Sequence, residues 1–201
     1  MPRPLAALCV AAFALTAGCG RSTISAEPVR VEARETSPAD RIRVMLPPPS
    51  GPGGEAAGRI VSARVIEVLQ QTHGDVALVT ITDERDALAA SRQANAAFLI
   101  VPTILEWTDT HSPPLTADRV QVRLELKDPA DGAAISAIRF ENSSSLFAVV
   151  DTRPEALLDS SFDRAVNMLV ATGSTGHGTL HQPGPTALEH VPVDEQKFPR
   201  Q

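Results

Sequence analysis

The chain has 201 residues, a formal charge of −6, 43% apolar residues and 21% charged ones. That length allows one domain with a hydrophobic core plus some unstructured chain. With one Trp, six Phe and no Tyr, little is available to stack on bases or sugars. The acidic balance gives the chain as a whole no attraction to nucleic acid or to anionic lipid surfaces, and nucleic-acid and glycan binding are both argued against.

Residues 1–18 have the three parts of an export signal: Arg3 in front, an apolar run from Leu5 to Leu15, then the small residues Thr16-Ala17-Gly18. The run is too short to span a bilayer, which takes ~20 apolar residues. It ends at Cys19, and Leu15-Thr16-Ala17-Gly18-Cys19 resembles the lipobox of bacterial lipoproteins, with Thr16 where Leu is commonest. The resemblance implies cleavage before Cys19, acylation of its thiol (palmitate among the chains), and anchoring by more than one acyl chain. Gly20 rather than Asp follows the cysteine, which resembles an outer-membrane address with the domain facing the periplasm. Cys9 leaves with the leader and acylation consumes Cys19, so no intramolecular disulfide is expected.

Residues 19–40, polar and without period, are expected to form a flexible tether. The domain proper is expected over 41–171. Ile42, Val44 and Leu46 alternate as a first strand, ended by Pro47-Pro48-Pro49. A glycine-rich loop leads to a helix over 55–71, with Ala57, Ile60, Val61, Val65, Val68 and Leu69 on one stripe. A short strand over 76–81 follows, then Thr82-Asp83 capping a helix over 84–94. Ala97 to Val101 is continuously apolar, as a strand covered on both faces should be, and Pro102 predicts a bulge or an unpaired edge from there to Leu105. Val120, Val122, Leu124 and Leu126 alternate with Gln121, Arg123, Glu125 and Lys127, the clearest strand in the chain. Asp128 to Gly132 turns it into a return strand over 133–141, whose register stays open because Ile135 and Ile138 fall on opposite faces. Asp151-Thr152 and Pro154 are expected to open a last helix to Val170, with Leu158, Phe162, Ala165, Val166 and Leu169 inward. Residues 172–201, rich in Gly and Pro turns, are expected to be a disordered tail. The sum is an α+β domain with helices packed on a mixed sheet in β-α-β-α-β-β-β-α order.

Three clusters invite a chemical reading. Gly51-Pro52-Gly53-Gly54-Glu55-Ala56 fits a loose dinucleotide loop, but the prolines remove the tight strand-to-helix turn and one amide, so a flexible turn is expected. Glu106, Trp107, Asp109 and His111 follow the central strand and are the best candidates for contact with a ligand or partner. An acid and a base are present there, yet no nucleophile motif and no third member accompanies them, so no catalytic residues are assigned. His177, His181 and His190 lie in chain with no helix to bring them together, so neither metal nor cofactor is expected.

Phe98-Leu-Ile-Val-Pro102-Thr-Ile-Leu-Glu106-Trp107-Thr-Asp109, together with the lipobox, resembles a group of proteobacterial lipoproteins known as domain of unknown function 4823. Asp118-Arg119 before the alternating strand, the Asp128-to-Gly132 turn and Pro154 to Leu158 match it too, over residues 41–170. The chain departs from it at Thr110, where relatives have Arg, and at Ser112-Pro113-Pro114, where they are aromatic. The family label implies no activity. The expected function is a non-enzymatic accessory or assembly factor held to the membrane by acylated Cys19, touching an envelope protein, with self-association open. A small-ligand or cell-wall-binding module using the Trp107 loop is the alternative, and a hydrolase ranks last.

Overall fold

The computed structural model describes residues 21–27, 29, 36–109, 117–144 and 153–174. Six strands form one mixed sheet: β1 (Arg21–Glu27), β2 (Arg41–Met45), β3 (Asp75–Val79), β4 (Phe98–Thr108), β5 (Arg119–Lys127) and β6 (Ala134–Ser143). Helix α1 (Gly54–Leu69) links β2 to β3, α2 (Glu84–Gln93) links β3 to β4, and α3 (Ser160–Ser174) closes the domain. The spatial order is β1-β6-β5-β4-β2-β3. β2 runs parallel to both β3 and β4, while β4, β5, β6 and β1 pair antiparallel in succession. The expected α+β class and the order of the elements from β2 to α3 hold.

The two crossover helices lie on opposite faces. Ile42, Val44, Phe98 and Ile100 join α1 and α3 in the main core, whereas Met45, Leu99 and Val101 pack with Ala87 of α2. Both faces of β4 from Phe98 to Val101 are therefore dry, which is why Ala97 to Val101 has no polar alternation. β5 alternates because only its even-numbered side is covered by helices. Two buried polar side chains of β6 bind α3 and the turn that precedes it. Ser136 Oγ donates to the Leu169 carbonyl at 2.7 Å, and Asn142 Nδ2 to that of Leu157 at 2.8 Å. Between them Phe140 and Phe162 meet edge to face, centroids 5.2 Å apart at 80°. On the surface, Arg64 of α1 forks onto Asp163 of α3 with bonds of 2.9 and 2.7 Å.

Four expectations need correction, while the bulge or unpaired edge expected from Pro102 to Leu105 is found. Residues 21–27, within the predicted tether, form β1, an edge strand whose Ile24 packs on the core. Its polar alternation is that of a strand with one thin apolar side, and β6 supplies the partner that composition cannot reveal. β4 runs unbroken through Pro102, and its bulge lies at Leu105. β2 accompanies β4 only as far as Ile100, so the expected unpaired edge is present and the proline's missing donor is tolerated. Ile135 is a second bulge: Leu126 faces Ser136 and Lys127 faces Ala134, so the extra residue brings Ile135 to the same core as Ile138. Finally, Pro154 opens a separate 3-10 turn (Pro154–Leu157), and α3 begins at Ser160 with Asp159 accepting from the Ser161 amide at 2.8 Å. Leu157 and Leu158 are both buried, one in the turn and one just after it. α3 runs on to Ser174, so the first residues assigned to the tail are helical. The leader, Cys19, His111, Asp151, Thr152 and the tail from 175, with its three histidines, lie outside the described residues.

Candidate functional site

The glycine-rich loop and the Trp107 stretch, far apart in sequence, meet at one end of the sheet. β2, β3 and β4 all finish there, and β2 lies between its two parallel neighbours. In open α/β sheets the crevice at such a switch point is where ligands settle. Here it is filled from within. Gly53, at φ +74°, caps α1, and a Cβ placed on it would lie 2.6 Å from Trp107 Cγ, 2.7 Å from Cδ1 and 2.5 Å from Ala57 Cβ. The loop closes on itself through Gly51 N–H to the Pro48 carbonyl and Gly54 N–H to the Gly51 carbonyl, both 3.1 Å. The glycines serve a tight turn and a close approach by an indole.

The bulge at Leu105 puts the indole there. Up to Ile104 the even-numbered residues of β4 face α1 and α3; beyond Leu105 the parity reverses, and Trp107 pairs with Val120 on the core side. Glu106 consequently pairs with Gln121 on the opposite face. A bulge that re-aims a side chain is a common device, and in this case it separates the candidate acid from the candidate aromatic. Asp109 follows the strand and is exposed. Thr108 Oγ1 donates to the Arg119 carbonyl at 3.2 Å and accepts from its amide at 3.1 Å, fixing the end of the β4–β5 pair. Glu106, Trp107 and Asp109 therefore do not converge on one point, and His111 lies outside the described residues.

Charged groups are organised elsewhere. On the face of β5, β6 and β1 away from α1 and α3, Arg123 donates to Glu27 at 2.6 Å and pairs with Glu125 at 3.0 Å. The bond to Glu27 holds the guanidinium pKa above its ordinary value, with Glu125 adding to the effect and partial burial opposing it. Lys127 pairs with Glu84 of α2, and Gln121 joins Glu141 to Arg139 at 3.1 Å on each side. This ladder neutralises the direct opposition of Arg123 and Arg139 across the strands. Among the described residues no group of three or more His, Cys, Asp or Glu side chains could hold a metal, and no helix is long and apolar enough to cross a membrane.

Sequence reasoning missed Ser136 and Asn142, which look like ordinary strand polar residues until α3 lies over them. It also missed the role of Gly53. The positive φ left no signal beyond the glycine itself.

No family model matches the chain, and no curated protein does. Among solved structures the fold is similar to that of PelC from Paraburkholderia phytofirmans, a dodecamer. The TM-score is 0.57 and the identity 15%, over 77% of this chain and 98% of PelC. Lipoprotein GNA1162 from Neisseria meningitidis is similar at TM-score 0.44 and 13% identity, over 66% of this chain and 99% of that one. XCC0632 from Xanthomonas campestris, of family DUF330, follows at 0.41 and 15%, over 73% and 94%. At these identities the likeness is one of fold.

Proposed function

We propose that the chain is a lipoprotein of the outer membrane, anchored through acylated Cys19, whose periplasmic domain works by protein contact as an accessory or assembly factor. A place in the lipoprotein group of unknown function 4823 belongs to the same reading. The observation that carries protein contact is the edge of β3, which no other strand among the described residues covers. It ends the sheet with the sequence Asp75-Val-Ala-Leu-Val79, and Leu78 is 41% exposed. Stable monomers generally protect such an apolar edge with charge, proline or a covering loop, because it accepts a further strand. The fold of PelC, which assembles as a dodecamer, supports self-association as one form of that contact.

The test is Cys19→Ser in the native host, with membrane fractionation and crosslinking followed by mass spectrometry. Wild type is expected in the outer membrane with a reproducible crosslinked partner, and the variant is expected to lose the membrane. Leu78→Lys is expected to keep the membrane and lose the partner. A Cys19→Ser chain that fractionates and crosslinks like wild type refutes the anchored reading.

A further inference from the structure

The end of the sheet at which β1 begins is set by register. Arg21 pairs with Ser143, Ser143 with Arg119, and Arg119 with Thr108. The first residue of β1 is therefore at the same end as Trp107 and the Pro47–Gly54 loop. Only Gly20 separates Arg21 from Cys19. Two Cα steps reach at most ~7 Å, and β1 is held along its length by β6. A domain tied this closely to its anchor cannot hang away from the bilayer on a long tether.

This end carries the chemistry of a headgroup contact. Arg21 and Arg119 are both exposed and flank Ser143 across two strand spacings, ~10 Å. Arg153 is exposed too, and it opens the 3-10 turn whose Leu157 carbonyl is held by Asn142, beside Ser143. None of these three guanidinium groups has a carboxylate partner among the described residues, in contrast to Arg41, Arg43, Arg59, Arg64 and Arg123. Next to them the exposed residues Pro48-Pro49-Ser50 and Pro52-Gly53 carry no charge to desolvate. Acidic groups also lie at this end: Asp109 past the end of β4, Glu155 and Asp159 around the 3-10 turn, and Glu55, which Arg59 pairs; Asp83 and Asp86 at the start of α2 lie on the β3 flank beyond β4 and β2. The opposite end presents the hairpin turn with Asp128 and Asp131.

Resting on the acylation of Cys19 put forward above, we infer that the Arg21/Arg119/Arg153 end of the sheet is seated on the surface of the anchoring membrane, the three guanidinium groups meeting lipid phosphates. An Arg fork matches phosphate oxygens in geometry as well as charge. Electrostatic contacts of this kind reach about one Debye length, ~8 Å at physiological salt, which the two Cα steps from Cys19 to Arg21, ~7 Å, do not exceed. The seating also leaves the β3 edge running up from the membrane and open to a partner.

The test uses the full acylated chain reconstituted into phosphatidylethanolamine/phosphatidylglycerol vesicles. A nitroxide is placed at Ser50→Cys or at Ala130→Cys, both exposed, and relaxed by nickel chelated to lipid headgroups. The β5 strand and its turn separate the two positions by roughly 30 Å, so relaxation at position 50 is expected to exceed that at 130 at least about threefold. A 20-residue Gly/Ser insertion after Gly20 combined with Arg21→Gln, Arg119→Gln and Arg153→Gln is expected to abolish the difference, while the insertion alone retains most of it. Equal relaxation at both positions in chains that float with the vesicles overturns the seating and leaves the anchored reading intact. Loss of the difference by insertion alone overturns the role of the arginines. Chains that neither float nor yield an acylated Cys19 peptide overturn both.

Discussion

Replacing Gly53 by alanine tests how the glycine loop and Trp107 depend on each other. Gly53 sits at φ +74°, and its new Cβ would come within 2.5 Å of Ala57 Cβ and 2.6 Å of Trp107 Cγ. Left-handed backbone costs a residue with a Cβ ~1–2 kcal/mol. Pushing an indole or a helix out of contact adds ~1–3 kcal/mol, as overpacking does elsewhere. The sum, ~2–5 kcal/mol, is a large part of a domain stability of ~5–15 kcal/mol. Gly54 supplies the control: its φ is +64°, but the nearest atom to an added Cβ is the Pro49 carbonyl oxygen at 3.9 Å. Gly54→Ala should therefore show the backbone cost alone, ~1–2 kcal/mol. Urea unfolding followed by fluorescence gives both numbers, and the chain's one Trp reports the contact directly. Gly53→Ala should shift its emission to the red in the folded state, and Gly54→Ala should not. If the two variants are equally stable with identical emission, the indole does not rest on Gly53 and the account of this end of the sheet is wrong.

Deleting Leu105 should make the pairing of β4 and β5 regular and leave Trp107 opposite Val120 on the core side; native-like emission and a stability change of only ~1 kcal/mol are expected, and a red-shifted emission counts against the parity argument. The Arg64–Asp163 fork, each side chain about 30% exposed, should couple α1 to α3 by ~0.5–1 kcal/mol in a double-mutant cycle with alanine, less in high salt; zero coupling at low salt removes it from the account. The Arg43 guanidinium, 2.8 Å from Asp75 and its main influence, holds that carboxyl below its ordinary value, with Arg41 assisting. A depressed carboxylate favours the folded state above the unfolded value of ~3.9, and that benefit fades as pH falls through the lower folded value. Carboxyl NMR titration should find the Asp75 midpoint low in wild type and raised in Arg43→Gln; the same midpoint in both would exclude the Arg43 bond as cause.

Most of the fold was legible because burial leaves periodicity. β5 alternates, β4 is continuously apolar, and α1 and α3 carry stripes, so their positions and roles follow from the residues alone. What the sequence concealed were the places where one residue changes the count. Leu105 and Ile135 each look like one more apolar residue in an apolar strand, yet each inverts the facing of everything beyond it, and nothing local marks the inversion. β1 was hidden for a different reason: as an edge strand it buries little, so its composition is that of a linker. At the candidate site, Trp107 and Gly53 were each singled out, but their contact depends on strand order and on the bulge. Glu106, Asp109 and Trp107 looked like a cluster because they are neighbours in sequence, and strand pleating separates neighbours.

β1 is made first and pairs last. Arg21 meets Ser143, so a chain emerging from its N-terminus must present nearly all of its domain before the first strand can be docked. Such long-range pairing carries a high entropic cost of closure and forms late in folding. Until then β6 keeps an open edge and Arg21–Glu27 lacks its partner strand. The β1–β6 pairing is thereby the step that completes the sheet.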